Sequence, residues 1–279
     1  MLIAEPKRDF LRRIIFHGLV LTTMGILTWV FADLLWRIDF STLKAVLVVT
    51  FSLLCYPLAS GFWQCTIGFF GSLSEKRPEL DKPFAPGGLE EPFVAVNIPV
   101  YNEDIEAVLT RLRTLFLSLQ ETGQLAAFDF YLLSDSTNPD NWVLEEYGWA
   151  RLCRQLGSFD RIFYRRRRRN LHQKAGNLLD FCESWGRRYK YMVVLDADSL
   201  MDGQALVSMT AQMEANSRLG ILQTIPLLTQ AQSRYAMLQQ FANRVYGPLF
   251  ARGMAFWQGA KGNYWGHNAI IRVEPFIRH

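Results

Sequence analysis

The sequence predicts an α/β domain with a largely parallel sheet, preceded by two transmembrane helices. Three observations carry this expectation: two long apolar runs before residue 72, β-rich runs alternating with helix-period stretches after residue 92, and acids recurring where the β-rich runs end. Such an alternation is how a parallel sheet with crossover helices is written in sequence.

The apolar runs are Ile14 to Leu35 and Ala45 to Phe70, each meeting the roughly 20 residues needed to cross a bilayer. A cleaved signal peptide does not fit the first run, which is too long, lacks a small-residue cleavage site and is soon followed by a second span. Asp33 lies near the end of the first span, where an acid costs less than at the bilayer centre, and Pro57 is expected to bend the second. Trp29, Trp36 and Trp63 suit either interfacial anchoring or packing between the helices. Lys7, Arg8, Arg12 and Arg13 precede the first span and Lys76 and Arg77 follow the second, while the connection carries one Arg and one Asp. Both outer ends are therefore expected in the cytoplasm. The expected organisation is a membrane region over 1–72, with spans at about 14–35 and 45–70, a linker over 73–91 rich in Pro and Gly, and a cytoplasmic domain over 92–279.

Composition narrows the class. A net charge of +4 on 279 residues does not call for a polyanionic partner, which argues against nucleic acid. Cys55, Cys65, Cys153 and Cys182 lack metal-finger or Cys-x-x-Cys spacing and read as reduced structural thiols.

Within the soluble part, Phe93 to Ile98 reads as a strand, and Glu103 to Leu119 as a helix through its apolar positions Ile105, Val108, Leu112, Leu115, Phe116 and Leu119. Phe128 to Leu133, Arg161 to Tyr164, Tyr191 to Leu195 and Gly220 to Ile225 read as further strands. Asn141 to Leu156, Ala175 to Trp185 and Gly203 to Asn216, the last opened by Asp202, read as helices. No helix is assigned between Ile225 and Gly262. Ligands of such sheets bind beyond the carboxyl ends of the strands, and that is where polar residues gather: Tyr101, Asn102 and Glu103 after the first strand, Asp135 after the second, Asp196 and Asp198 after the Tyr191 strand. Taken singly, Asn102 and Asp135 read as turn or helix caps. The coincidence at three strand ends favours a site.

Asp196 and Asp198 are two residues apart. On an extended segment they share a face and suit a hard divalent cation such as Mg²⁺ or Mn²⁺, which with a substrate diphosphate would neutralise a nucleotide leaving group. Of Arg165 to Arg169, most are expected to form a solvated face or to attract anionic lipid. Lys174, at the expected start of a helix, is well set for a phosphate; Gly176 permits close approach, and Asn177 can bond a base or ribose.

Together, Pro99 to Glu103, Ser134 to Asp135, His172 to Asn177 and Asp196 to Asp198 resemble the inverting, membrane-embedded family 2 glycosyltransferases, which include cellulose, chitin and hyaluronan synthases. The arginine run, Tyr191 to Ser199 and Gly262 to Arg272 look most like the bacterial enzymes that build the β-1,2 backbone of osmoregulated periplasmic glucans from UDP-glucose. The resemblance implies a GT-A-like fold, a bacterial inner-membrane location, and membrane lipid, UDP-glucose and a glucan acceptor as partners; it names no protein partner. It implies that Tyr101 and Glu103 line the uridine pocket, that Asp135 meets the uracil and that Lys174 contacts base or phosphate. Asp196 would lie near the ribose and diphosphate, Asp198 on the metal, and Gly266, His267 and Asn268 near the acceptor sugar.

The family's later acid, the base for the acceptor hydroxyl, and its Gln-x-x-Arg-Trp motif do not occur here, so the chain is expected to be an N-terminal portion with a C-terminally incomplete domain. His267 is a poor substitute base. The competing functions are a membrane-anchored UDP-sugar-binding regulator and a cellulose-like synthase, with an electrostatic binder acting through the arginine run ranked last.

Overall fold

The computed structural model describes residues 6–37, 41–74 and 93–278. The chain divides into two compact units, 1–77 with 225–263 and 78–224 with 264–279.

The first unit is helical. Helix α1 (Pro6–Trp36) and helix α2 (Thr42–Ser74) contain the two apolar runs and are long and apolar enough to cross a membrane. Helix α2 continues through Pro57. The Trp63 indole N–H donates to Thr23 Oγ1 at 2.9 Å, so this tryptophan links the two helices, while Trp29 and Trp36 are exposed. Asp33 pairs with Arg37 one turn on. Leu73 and Ser74 belong to α2, and the rest of the expected linker, with Lys76 and Arg77, lies outside the described residues.

A third helix, from within residues 92–279, completes this unit. Counting helices along the whole chain, it is α7 (Arg234–Gln258). Sequence reading missed it because Gly247 and Pro248 interrupt a pattern with apolar residues on several sides. Its C-terminal half meets α2 backbone to backbone. A Cβ added to Gly253 would come 1.9 Å from the Gln64 carbonyl oxygen, and one added to Gly68 would come 1.8 Å from that of Leu249. Small residues are what permit such contact between helices. Phe16 stacks on Trp257, and Arg13 donates to the carbonyls of Trp257 and Gln258, satisfying the end of α7. Gly68→Ala or Gly253→Ala is therefore expected to destabilise this three-helix packing by about 1–3 kcal/mol, measured by denaturant unfolding in detergent. Gly71→Ala, with open space around it, is the neutral reference.

The second unit is the predicted α/β fold. Its strands are β1 (Val94–Val100), β2 (Phe128–Ser134), β3 (Ile162–Arg166), β4 (Tyr191–Val194), β5 (Ile221–Gln223) and β6 (Ala269–Arg272). They form one sheet in the order β3-β2-β1-β4-β6-β5. β1 pairs in parallel with β2 and β4, and β2 with β3, whereas β6 runs antiparallel between β4 and β5. Helices α3 (Ile105–Glu121), α4 (Pro139–Leu156) and α6 (Gly203–Ala215) cover one face, burying Val96, Phe130 and Val193 among others. Helices α5 (Gln173–Ser184) and α8 (Val273–Arg278) cover the other, over Ala95, Tyr131 and Met192.

The starts of α3 and α4 each lie two residues from their expected positions, for identifiable reasons. Asp104 accepts from the amides of Glu106 and Ala107 and starts α3, and Asn138 accepts from Asp140 N ahead of Pro139 at the first turn of α4. Asp202 sits at the start of α6 as expected but does not cap it: Ser118 Oγ accepts from Gly203 N and donates to Asp202. All four cysteines are free. Burial pushes the Cys153 thiol up to about 11 and, with the nearby charge of Glu183, the Cys182 thiol likewise, which keeps both unreactive at neutral pH.

Candidate functional site

Parallel pairing brings the ends of β1, β2 and β4 to one rim, and a cavity of about 730 Å³ opens there. Its walls come from four separated segments: Pro99 to Glu103 after β1, Asp135 and Thr137 after β2, Asn170 to Asn177 at the start of α5, and Asp196 to Asp198 after β4. Of the residues singled out from sequence, Tyr101, Glu103, Asp135, Lys174, Asn177, Asp196 and Asp198 line it.

Asn102 joins the first two walls. It occupies the left-handed region at φ 52°, which Asn tolerates better than most residues. Its Oδ1 accepts from Thr137 N at 3.1 Å and Asn138 N at 3.3 Å, and its own amide donates to Ser136 Oγ at 2.9 Å. Behind it, buried Glu145 accepts from the hydroxyls of Ser134, Ser136 and Tyr164 at 2.6, 2.5 and 2.9 Å.

The arginine run departs from the expected solvated face. Arg167 donates bidentately to Asp135, both contacts 2.7 Å with both side chains buried, and also to the carbonyls of Leu171 and Gln173. Arg165 donates to Asp180 at 2.5 Å and to the Asn177 carbonyl and side chain, beneath the Trp185 ring. Burial lowers its pKa against the opposing pull of Asp180. Arg166 lies 4.1 Å from the Trp142 ring centroid. Three of the five arginines are therefore held by partners that the fold supplies: Arg165 and Arg166, which end β3 and point to opposite faces of it, and Arg167 immediately after the strand.

The segment entering α5 is held tightly. His172 and Gln173 both have positive φ, 57° and 49°, and a Cβ on Gly176 would come 2.0 Å from the Leu171 carbonyl oxygen. The close approach expected of Gly176 is thus to its own loop and not to a ligand. Asn177 is also turned inward: its amide donates to the Leu133 carbonyl and its Oδ1 accepts from Arg165. Helix α5 is tied to β2 and β3 in this way, and the expected bonding of a base or ribose by Asn177 gives way to that tie.

Strand β4 ends at Val194, one residue early, and the Ser199 amide closes a turn onto the Asp196 carbonyl at 3.0 Å. Asp196 and Asp198 therefore occupy a turn instead of one strand face, and the turn still leaves both on the cavity wall. Arg111 donates to the Ala197 carbonyl at 3.1 Å and steadies it. Lys174 Nζ is ion-paired with Asp196 and donates to the Gly266 carbonyl at 2.7 Å, so Gly266 reaches the site through the lysine. His267 and Asn268 do not line the cavity; His267 Nδ1 and Asn268 Oδ1 are buried without a partner among the described residues.

The charges define what the cavity can hold. Arg167 offsets Asp135 and Lys174 offsets Asp196, whereas Glu103 and Asp198 make no ion pair among the described residues. Among the described residues there is no cluster of three His, Cys, Asp or Glu suited to a metal. The open Asp198 carboxylate and the half-engaged Asp196 suit an ion that draws its remaining ligands from phosphate and water, as Mg²⁺ does.

Tyr264 escaped the sequence reading because nothing in its spacing marks it. Its hydroxyl is buried without a partner among the described residues, and burial, then the charge of Asp196, push it up to about 12. Above the ordinary tyrosine value the unfolded chain ionises first, so Tyr264 should make stability fall as pH rises from about 10 to about 12. Tyr264→Phe is expected to reduce that fall, measured by denaturant unfolding on either side of the window. Thr137, Asn170 and Gln173, which line the cavity, were likewise missed, as was Arg167, which holds the wall residue Asp135.

The family model described as glycosyl transferase family 2 matches residues 95–279. A glucans biosynthesis glucosyltransferase H from Dickeya dadantii is 46% identical over 242 residues, covering 85% of this chain and 28% of the relative. The protein of the same name from Cupriavidus pinatubonensis is 43% identical over 275 residues, covering 96% and 32%. The chain thus spans about three-tenths of the length of these relatives. A solved structure of the yeast mannosyltransferase Ktr4p with GDP matches at TM-score 0.43 and 12% identity, over 80% of this chain and 68% of that one.

Proposed function

Because the chain belongs to glycosyl transferase family 2, we propose that the rim cavity is the donor site of a UDP-glucose-dependent enzyme that extends a β-1,2-linked glucan by inverting transfer. The observation that carries this reading is the convergence of four separated polar segments on one cavity at the carboxyl ends of parallel strands. The relatives' printed name points to glucan synthesis, and two apolar helices point to membrane association. An inner-membrane location with this cavity on the cytoplasmic side follows the flanking positive charge.

In this reading Tyr101 and Glu103 border the uridine, and Asp135, held rigid by Arg167, presents a fixed acceptor edge to the uracil. Asp198 and the free oxygen of Asp196 would hold Mg²⁺ or Mn²⁺ against the diphosphate, where the ion supplies charge neutralisation to the departing nucleotide. Lys174 bridges Asp196 and Gly266, so a diphosphate reaching this lysine would meet the turn leading to His267 and Asn268, the proposed acceptor side. Transfer itself also needs a base for the acceptor hydroxyl, and that step is proposed for the whole protein of which the relatives are examples.

The test is calorimetric titration of the detergent-solubilised chain with UDP, UDP-glucose and GDP, each with and without Mg²⁺ or Mn²⁺. Metal-enhanced binding of UDP and UDP-glucose in preference to GDP supports the reading. Absence of nucleotide binding, or equal binding of GDP, overturns it.

A further inference from the structure

The α/β unit carries a second cavity, of about 640 Å³, at the end of the sheet opposite the rim. Strands β1 and β4 begin there, after Phe93 and Lys190, and the antiparallel β6 ends there at Arg272. Its volume is that of a small-molecule site. Arg187, Arg188, Lys190, Arg272 and Arg278 line it against a single acid, Glu274. Like charges gathered round one hollow repel one another, so the partners of each decide the charge that the hollow presents.

Arg278 pairs with Glu274 and Lys190 with Glu214, each at 2.5 Å. Arg272 is held by neutral oxygens: it donates to the carbonyls of Met213, Asn216 and Leu219 and to the Tyr191 hydroxyl, at 3.1, 3.3, 3.3 and 3.2 Å. These bonds fix the guanidinium without cancelling its charge, and Glu214, which accepts from the same Tyr191 hydroxyl, is already shared with Lys190. Arg187 and Arg188 are exposed on a 3₁₀ turn (Gly186–Arg188) and make no ion pair among the described residues. Buried Asp129 feels the Arg188 charge through space but is itself paired with Arg161. Five cations against the carboxylates of Glu214 and Glu274 therefore leave a positive excess. A concave wall focuses that field, and arginine forks match the oxygens of a phosphate. Beside the arginines the cavity presents Phe93, Val273 and Ile277, an apolar side that a bare inorganic anion would leave uncovered.

We propose that this cavity binds a phosphate ester, the phosphate bonded by Arg187 and Arg188 in the field of Arg272 and the organic part set against Phe93 and Ile277. Asp196 and Asp198 lie beyond the other end of β4, so the phosphate here is held by side-chain cations and needs no divalent ion. The same chemistry is offered by a soluble phosphate ester and by a phospholipid headgroup.

The test titrates the full detergent-solubilised chain in EDTA with pyrophosphate, adenosine monophosphate and dihexanoyl phosphatidic acid, followed by calorimetry. At least one of the two esters should bind at one site and more tightly than pyrophosphate; preference for the nucleotide identifies a soluble ligand, and preference for phosphatidic acid a lipid. Hydrogen exchange locates the site: the bound ester should slow exchange at residues 186–190 and 270–278 and leave 99–103 and 196–200 unchanged. Arg187→Gln with Arg188→Gln should weaken binding about tenfold or more, the loss of charged hydrogen bonds to the phosphate. Glu274→Gln, which removes the one acid of the wall from an exposed pair, tests the site in the opposite direction and should tighten binding severalfold, so the result does not hang on the folding of the double variant. Binding of neither ester, pyrophosphate as tight as both, protection confined to 99–103 and 196–200, or an affinity indifferent to all three substitutions overturns the proposal. Because no metal is present and exchange is read at both ends of the sheet, these outcomes are distinct from failure of metal-enhanced UDP binding at the rim.

Discussion

Arg167→Ala should lower the stability of the α/β unit by about 3–5 kcal/mol, the cost of breaking a buried ion pair from one side. The guanidinium makes two 2.7 Å contacts with Asp135, and both side chains are less than one-tenth exposed. Truncation strands the Asp135 carboxylate in a buried position and also releases the carbonyls of Leu171 and Gln173 from their donor. Arg167→Lys keeps the charge but cannot reproduce the planar fork, so it should recover only part of the loss. Asp135→Asn combined with Arg167→Gln should be less harmful than Arg167→Ala alone, since it removes both charges together. Denaturant unfolding followed by near-ultraviolet circular dichroism measures all three. A loss below about 1 kcal/mol for Arg167→Ala, the level of an exposed pair, would show that water reaches the pair.

Asp198→Ala should remove the metal-dependent part of UDP binding and leave stability almost unchanged. The Asp198 side chain bonds to none of the described residues while lining the cavity, so folding gains little from it, whereas a cation bound through few protein carboxylates depends heavily on each. Even partners one shell removed from a metal are worth roughly tenfold in its affinity, and a direct ligand should exceed that. Asp196→Ala is expected to behave differently, because it also leaves Lys174 without its carboxylate. Titrations with and without Mn²⁺ separate the two: equal metal enhancement in the parent and in Asp198→Ala would remove this residue from the site. Lys174→Met supplies the converse comparison, freeing Asp196 while deleting the ammonium from the cavity.

Much of the site was legible because its residues stand at strand ends, and strand ends announce themselves. Apolar runs such as Val94 to Val100 and Tyr191 to Val194 stop where polar residues begin, and parallel pairing then carries Glu103, Asp135 and Asp198 to one rim. The roles of Asn177 and Gly176 were not legible. An inward-turned amide and a backbone in contact with its own loop depend on where β2 and Leu171 lie in space. The arginine run misled for the same reason. Five like charges in a row suggest a solvated face, and only the tertiary fold supplies Asp135, Asp180 and Trp142 as partners for three of them. Helix α7 was obscured locally by Gly247 and Pro248.

The sequence by itself determined the class of most segments: two apolar helices by length, a largely parallel sheet by alternation, and the chemical character of its rim by the polar residues that end the strands. These follow from hydrophobic periodicity and propensity, which act over a few residues and can be read along the chain. The tertiary structure decided which charges are free. Lys174 and Asp196 are separated by 22 residues, and Arg167 and Asp135 by 32, so their pairing depends on the sheet that brings them together. It also decided that residues 225–263 pack with α1 and α2. Backbone contact at Gly68 and Gly253 requires two helices already in register, and a distance between remote segments leaves no periodic trace in either of them.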